Sequence, residues 1–211
     1  MHSQTIIFDL DGTISDPFEG ISRSVNYALE ARGYDAVEPA RIRPMIGPPL
    51  TEIFVHLLGD VGCSRMDDLV ASYRERYASI GYAENSLYAG MPEAIAALSA
   101  AGRQLGVCTS KRADYAARIV EMFGLGKYFA FVDGGDVHIK KYMQLERLIA
   151  SGIDAHAAIM IGDRAIDIEA AKINRMGSVG VSWGFGAIGE LERARPDYLV
   201  RSPAELREIF I

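Results

Sequence analysis

An α/β fold is predicted by the sequence: a mainly parallel sheet between two layers of helices, with a small all-helical domain inserted after the first strand. Short apolar runs rich in β-branched residues alternate with amphipathic helical patterns along most of the 211 residues. The alternation is interrupted once, over residues 16–85, where helical patterns occur without a convincing strand. Strand–helix alternation favours a parallel sheet covered by helices on both faces, which is a three-layer, Rossmann-like core.

The individual elements follow from hydrophobic periodicity and from the glycines and prolines that interrupt it. Strands are predicted at residues 4–8, 104–108, 128–132, 157–161, 178–181 and 198–200. Helices are predicted at residues 17–32, 50–58, 66–80, 92–101, 113–123, 142–150, 165–173 and 203–209. We therefore assign residues 1–15 and 86–211 to the α/β core and residues 16–85 to a helical cap domain.

The charge and hydropathy of the chain bound the partners that it can have. Its formal net charge of -6 does not favour binding to nucleic acid or to anionic lipid. No apolar stretch approaches the ~20 residues that span a bilayer, and the N-terminus lacks the features of a signal peptide. We expect a cytoplasmic monomer or homodimer without nucleic-acid or membrane partners.

The cysteines and histidines do not predict a structural metal or a disulfide scaffold. Two cysteines, Cys63 and Cys108, are too few for a disulfide framework, although one bond between them stays an alternative. Cys108 lies in an apolar run and is predicted to be buried. The four histidines show no metal-ligand spacing, which argues against a zinc site.

Polar side chains follow each of the first four core strands, at the edge where an open parallel sheet binds its ligands. They are Asp9 and Asp11 after the first, Thr109 and Ser110 after the second, Lys140 and Lys141 beyond the loop after the third, and Asp163 and Asp167 after the fourth. A single aspartate after a strand is more often a turn residue or a helix cap, but chance rarely places several at successive strand ends. Clustered carboxylates repel one another, so a fold tolerates them where a cation binds, and such oxygen ligands suit Mg²⁺.

The residues at these strand ends resemble the motifs of the haloacid dehalogenase-like hydrolases. The segment Asp9-Leu10-Asp11-Gly12-Thr13 is similar to their first motif, Thr109 to their second, and Gly162-Asp163 with Asp167 to their fourth. The resemblance covers nearly the whole chain. The insert after the first strand is similar to that of the phosphoglycolate phosphatases and related nucleotidases.

The third motif departs from the family pattern. The family's lysine is often followed by proline, but Ile139-Lys140-Lys141-Tyr142 contains none. We favour Lys140 as the catalytic lysine, because its distance along the chain to Asp163 matches that of proline-free relatives. Lys141 stays open as the alternative.

The resemblance implies a Mg²⁺-dependent phosphatase that forms an aspartyl-phosphate on Asp9. It implies that Mg²⁺ is held by Asp9, the backbone carbonyl of Asp11 and Asp163, with Asp167 acting through water or by orienting the other ligands. Asp11 is the expected general acid and base. Lys140 is expected to offset charge on the transferred group.

The resemblance also implies the contacts to the substrate, which is expected to be a small phosphorylated metabolite. Residues expected to hold the phosphoryl oxygens are Thr109, Ser110 and the loop residues Gly12 and Thr13. Residues expected to contact the rest of the substrate are Lys111, Phe18, Arg23 and the segment Ile46-Gly47-Pro48-Pro49. For Pro48-Pro49 a plain helix start is an equal alternative, and Lys111 is nearly as compatible with an exposed position at a helix start.

Other interpretations stay open at the sequence level. Phosphoglycolate and nucleoside monophosphates are both candidate substrates. A mutase that passes the phosphoryl group to a sugar, and a non-catalytic binding relative, are the alternative functions. The glycines of Gly184-Phe185-Gly186-Ala187-Ile188-Gly189 match a dinucleotide-binding pattern, but no βαβ unit follows them. We therefore expect those glycines to shape a loop near the site.

Overall fold

The computed structural model describes residues 4–59, 64–135 and 139–211, and its centre is a six-stranded parallel sheet. The strands are β1 (Thr5–Phe8), β4 (Gln104–Arg112), β5 (Phe131–Gly135), β6 (Ala158–Gly162), β7 (Gly177–Val181) and β8 (Tyr198–Val200), in the spatial order β5-β4-β1-β6-β7-β8. Two short strands, β2 (Ser15–Asp16) and β3 (Ser86–Leu87), form a separate two-stranded sheet. The prediction of a mainly parallel α/β fold is confirmed.

Ten α-helices occur within the described residues. They are α1 (Phe18–Ala31), α2 (Pro39–Ile42), α3 (Leu50–Leu58), α4 (Met66–Ser79), α5 (Met91–Ala100), α6 (Ala113–Met122), α7 (Lys141–Ala150), α8 (Ala165–Ile173), α9 (Ile188–Ala194) and α10 (Pro203–Phe210). In the core, α7 packs against α8, and α5 packs against α10. Short 3₁₀ turns follow four of these helices, α2, α4, α6 and α7.

The first strand is the most enclosed element of the sheet. All four residues of β1 are buried, as expected for a central parallel strand in which three of the four residues are apolar. Phe8 lies opposite Val107 of β4 on one side and Ile161 of β6 on the other. The carboxyl ends of these three strands therefore meet at one edge, where the candidate site residues follow.

The third core strand differs from the prediction, which placed it at 128–132 with a loop at Gly134-Gly135. The structure has β5 at Phe131–Gly135, so both glycines pair with β4. A Cβ atom on Gly134 would lie 2.1 Å from Ala113 Cα, and one on Gly135 would lie 2.5 Å from the Ser110 carbonyl oxygen. These glycines permit close packing of neighbouring backbone rather than a turn.

Two other elements depart from the expectation. β4 continues to Arg112, through residues 109–111 that were predicted as a loop, with a register shift between Thr109 and Arg112. Helix α9 was not predicted, because its glycine-containing sequence was assigned to a loop. Cys108 is a buried free thiol, whereas Cys63 lies outside the described residues.

The chain divides into two compact units. The first comprises residues 1–15 and 87–211, and the second comprises residues 16–86. Within the second unit α1 packs against α4, where Tyr73 and Tyr77 stack with ring centroids 5.2 Å apart. No helix in the described ranges is long and apolar enough to cross a bilayer.

Candidate active site

The carboxyl end of β1 places two aspartates at the centre of the α/β unit. The N–H of Asp9 donates to the carbonyl of Ile161 at 2.8 Å, which continues the β1–β6 pairing by one residue. Asp9 is 3% exposed and Asp11 is 9% exposed. Gly12 then turns the chain with a φ of 88°, a conformation that favours glycine.

Two further aspartates, Asp163 and Asp167, follow β6 at the start of α8, and both are fully buried. Carboxylate oxygens of Asp9, Asp163 and Asp167 all lie within 4.8 Å of one another. Asp167 also accepts a hydrogen bond from the Arg164 N–H at 3.0 Å, which caps the first turn of α8. Asp167 therefore both caps the helix and belongs to the carboxylate cluster, two roles that the sequence offered as alternatives.

A single buried lysine reaches into this cluster. Lys141 Nζ lies 2.9 Å from Asp9 Oδ1 and donates a hydrogen bond to Asp167. The contact with Asp9 is an ion pair without hydrogen-bond geometry, since Asp9 Oδ1 accepts no hydrogen bond from the described part of the chain. Burial disfavours the charged form of Lys141, but the carboxylates of Asp167 and Asp9 outweigh it and raise the pKa of the ammonium.

The expectation that Lys140 completes the site is corrected by this geometry. Lys140 is exposed and precedes α7 in an extended conformation, as its N-terminal cap residue. Lys141 is the first residue of the helix and shares its buried face with Gln144 and Leu145, at the spacing of one helical turn. The residue at which α7 begins therefore places Lys141, and not Lys140, on the buried face of the helix.

A second lysine faces the other aspartate of the β1 motif. Lys111 Nζ lies 2.8 Å from Asp11 Oδ2, and the Lys111 side chain is only 7% exposed. Lys111 is therefore partly buried in the site rather than an exposed residue at a helix start. Burial raises the pKa of Asp11 above its usual range, and the Lys111 charge opposes that rise.

The electrostatics of the cluster favour a bound cation. Burial, followed by the charges of Asp167 and Asp9, raises the pKa of Asp163 to about 8. Burial also raises the pKa of Asp167, although Lys141 opposes the shift. With all groups ionised, the four aspartates outnumber Lys111 and Lys141 by two negative charges, which a divalent ion would balance.

The oxygen atoms of the cluster fit a magnesium ion. Asp9 Oδ1 and Asp11 Oδ1 are buried, and neither accepts a hydrogen bond from any described residue. Such atoms are costly unless a partner satisfies them. A set of carboxylate oxygens without histidine or cysteine is the donor set that Mg²⁺ prefers.

Thr109 closes the site from β4 and is 2% exposed. Its Oγ1 accepts a hydrogen bond from the Lys111 N–H at 3.3 Å. Ser110, next in the strand, is half-buried.

One residue behind Thr109 was missed by sequence reasoning. Gln144 is fully buried and donates to the Thr109 carbonyl at 3.1 Å and to Asp133 Oδ2 at 2.8 Å. Gln144 lies one helical turn after Lys141 and therefore on the same face of α7. A polar residue on that face was the sequence feature that could have identified it.

Two residues expected to hold phosphate are engaged elsewhere. The Gly12 N–H donates to the Ser15 carbonyl at 2.8 Å, and the Thr13 hydroxyl donates to Asp163 Oδ1 at 3.2 Å. These groups shape the loop and orient Asp163. That Gly12 and Thr13 also contact phosphoryl oxygens stays a prediction.

The residues expected to contact substrate from the helical unit have their own partners there. Arg23 pairs with Glu84 at 2.7 Å and with Glu19 at 2.6 Å. Gly47 has a φ of 119°, a left-handed conformation that suits glycine in the loop before α3. Phe18 lies beneath the guanidinium of Arg43, 5.1 Å from the ring centroid.

Comparison with known proteins identifies the family of the chain. A family model for haloacid dehalogenase-like hydrolases matches residues 6–181. A 5'-nucleotidase of Pseudomonas aeruginosa is 37% identical over 97% of this chain and 94% of its own. A phosphoglycolate phosphatase of Vibrio parahaemolyticus is 30% identical over 97% and 94% of the two chains.

Two further similar proteins are a protein named as a kinase and a hydrolase of known structure. The tyrosine-protein kinase PtkA of Mycobacterium bovis is 30% identical over 97% of this chain and 72% of its own. The structure of a haloacid dehalogenase-like hydrolase from Streptococcus pneumoniae superimposes with a TM-score of 0.92, at 26% identity and 99% coverage of both chains. The matched motifs, the fold and these relatives lead to one conclusion: the chain belongs to the haloacid dehalogenase-like hydrolases and is a phosphatase.

Proposed function

We propose that the chain is a Mg²⁺-dependent phosphomonoester hydrolase that acts on a small phosphorylated metabolite through an aspartyl-phosphate on Asp9. The observation that carries the proposal is the grouping of Asp9, Asp163 and Asp167 within 4.8 Å, with the Lys141 ammonium against Asp9. A buried, ion-paired carboxylate at the end of a central strand supports a nucleophile held in a fixed orientation.

The first chemical step transfers the phosphoryl group to the protein. A carboxylate oxygen of Asp9 attacks phosphorus, and the bond from phosphorus to the leaving oxygen breaks. Asp11 donates a proton to that oxygen, so the product leaves as an alcohol. Burial raises the pKa of Asp11 and so favours the protonated form that this step requires.

The second step returns Asp9 to its free form. Asp11, now ionised, accepts a proton from water, and the water oxygen attacks phosphorus as the bond to Asp9 breaks. Inorganic phosphate is released. Lys141 lies against Asp9 and Lys111 against Asp11, where their charges oppose the build-up of negative charge on the transferred group.

The proposed metal ligands are Asp9, the backbone carbonyl of Asp11, and Asp163, with Asp167 orienting them through Lys141 and the cap of α8. When bound, Mg²⁺ would supply charge neutralisation at the phosphoryl oxygens. Thr109 and Ser110 are proposed to hold those oxygens from the end of β4.

Two relatives support the proposed substrate class, because they are named 5'-nucleotidase and phosphoglycolate phosphatase. We propose that the helical unit of residues 16–86 serves as the cap and supplies Arg23 and the Gly47 loop to the substrate. A nucleoside monophosphate and phosphoglycolate are the first compounds to test. Cytoplasmic location remains part of the proposal.

The experiment is a phosphatase assay with p-nitrophenyl phosphate, with and without Mg²⁺, followed by a panel of phosphorylated metabolites. We expect Mg²⁺-dependent release of nitrophenol without any sugar acceptor. Release that requires a sugar acceptor would contradict hydrolysis and support the mutase alternative. A folded protein that releases nothing under any metal condition would support a non-catalytic relative.

A further inference from the structure

The loop between β7 and α9 packs directly onto the candidate metal site. This β7–α9 loop, residues 182–187, contains the first two glycines of the pattern that resembles a dinucleotide-binding motif. The third glycine, Gly189, lies inside α9. The spacing of the glycines therefore has another physical origin, which the contacts of the loop define.

Each oxygen of the Asp163 carboxylate receives one hydrogen bond. The Phe185 N–H of the β7–α9 loop donates to Oδ2 at 2.7 Å, and the Thr13 hydroxyl donates to Oδ1 at 3.2 Å. A carboxylate oxygen accepts two hydrogen bonds, so both oxygens keep a lone pair for a metal ion. Two donors from separate parts of the chain prevent rotation of the carboxylate.

The two glycines of the loop leave room for this arrangement. A Cβ atom on Gly184 would lie 2.3 Å from the Gly12 carbonyl oxygen and 2.4 Å from Asp163 Oδ2. A Cβ atom on Gly186 would lie 1.8 Å from the Asp163 carbonyl oxygen. Neither glycine has a positive φ, so the requirement is for space and not for an unusual backbone conformation.

The same loop also holds the other donor to Asp163. Trp183 Nε1 donates to the Thr13 carbonyl at 3.0 Å. Its ring meets Tyr88 edge to face, with centroids 6.4 Å apart. The loop thus contacts Asp163 directly and restrains Thr13, which donates to the other oxygen of the Asp163 carboxylate.

From these contacts we infer that the β7–α9 loop is a clamp that positions the Asp163 carboxylate for the cation. Trp183, Gly184 and Phe185 are positioning residues, because they act through Asp163 and touch no reacting atom. Fixing a ligand before binding removes the cost of ordering it, and loss of such supporting contacts lowers metal affinity by about 10–100-fold in known sites. The inference rests on the proposed metal site.

The test compares two glycines of one motif. Gly184→Ala pushes a methyl group against Asp163, whereas Gly189→Ala meets only Arg193 Nη1, at 3.4 Å. Mg²⁺ affinity is measured by titration calorimetry on metal-free protein, so the result does not depend on turnover. We expect about 10–100-fold weaker binding for Gly184→Ala and wild-type binding for Gly189→Ala. Turnover of Gly184→Ala should recover largely as Mg²⁺ is raised.

Gly184→Ala with wild-type Mg²⁺ affinity would overturn the inference and leave the phosphatase proposal intact. Wild-type protein that binds no Mg²⁺ would overturn both. If Gly184→Ala does not fold, Trp183→Phe applies the same test with a smaller change, since it removes only the Nε1 donor to Thr13 and keeps an aromatic ring. Severalfold weaker Mg²⁺ binding then supports the clamp, and unchanged binding rejects it.

Discussion

Lys141 Nζ lies 2.9 Å from Asp9 Oδ1, and the lysine side chain is only 1% exposed. A buried ammonium is stable only beside compensating charge, and a buried carboxylate has the same need. The pair therefore fixes Asp9, the proposed nucleophile, and Lys141 together. It also relates two motifs that are far apart in sequence, since α7 begins at Lys141 and β1 ends just before Asp9.

Asp9→Asn is expected to lower turnover by about 10³-fold or more while the protein stays folded, because the amide cannot form the phosphoryl-enzyme. The measurement is the kcat for p-nitrophenyl phosphate, with a thermal unfolding scan of the same sample. Asp114→Asn, an exposed change on α6, should keep full activity. Wild-type turnover in Asp9→Asn would rule out Asp9 as the nucleophile.

Lys141→Met and Lys140→Met form a matched pair. The first leaves Asp9 and Asp167 without their ammonium partner, so metal-free protein should lose about 3–5 kcal/mol of unfolding free energy, and turnover should fall severely. The second changes an exposed residue and should alter stability by less than about 0.5 kcal/mol. Urea unfolding and kcat check both; greater damage from Lys140→Met would refute the assignment.

Lys111→Met is expected to shift the pH dependence of kcat. The Lys111 charge lowers the pKa of Asp11, so its removal raises that pKa and keeps the protonated acid available to higher pH. The basic limb of the profile should therefore move upward in pH. Lys127→Met, a change of an exposed lysine in the 3₁₀ turn that follows α6, is the control. A downward shift or an unchanged limb would contradict the role of the Lys111–Asp11 pair.

The metal-free protein should lose stability as the pH rises through about 8, where Asp163 ionises in the folded state. The folded-state pKa is raised above the unfolded value of about 3.9, so the protonated carboxyl stabilises the fold at low pH. That contribution is lost between the two pKa values, by up to about 1.4 kcal/mol per pH unit, and the loss levels off above about pH 8. Mg²⁺ binds the ionised form, so the increase in Tm that it causes should grow from pH 6.5 to pH 9.

Calorimetric scans at the two pH values, with and without Mg²⁺, measure this effect. Asp163→Asn removes the titrating group and should flatten the pH dependence of the metal-free protein. An increase in Tm with Mg²⁺ that is equal or smaller at pH 9 would disprove the linkage.

The sequence predicted most of the sheet because parallel strands are continuous apolar runs, and their ends are marked by polar residues. The sequence placed Asp9, Asp163 and Asp167 correctly at those ends, because each of them follows its strand within a few residues. Lys140 was the wrong choice because the side-chain direction depends on the residue at which α7 begins.

Long-range contacts were the other limit of sequence reasoning. The Thr13 hydroxyl and the Phe185 N–H meet the same carboxylate from positions 150 and 22 residues away from Asp163. No local pattern encodes such a meeting. The glycine pattern at 184–189 did indicate a loop near the site, but its partners became visible only in three dimensions.

The position of β1 at the middle of the sheet has a consequence for the order in which the protein is made. β1 leaves the ribosome before its partners β4 and β6, which begin 99 and 153 residues after its first residue. The helical unit lies between β1 and β4 in the chain, so its complete sequence is available well before β6 is synthesised. Asp9, the proposed nucleophile, therefore has no complete set of partners until about residue 167 has been synthesised, and the nascent chain has no assembled candidate site before that point.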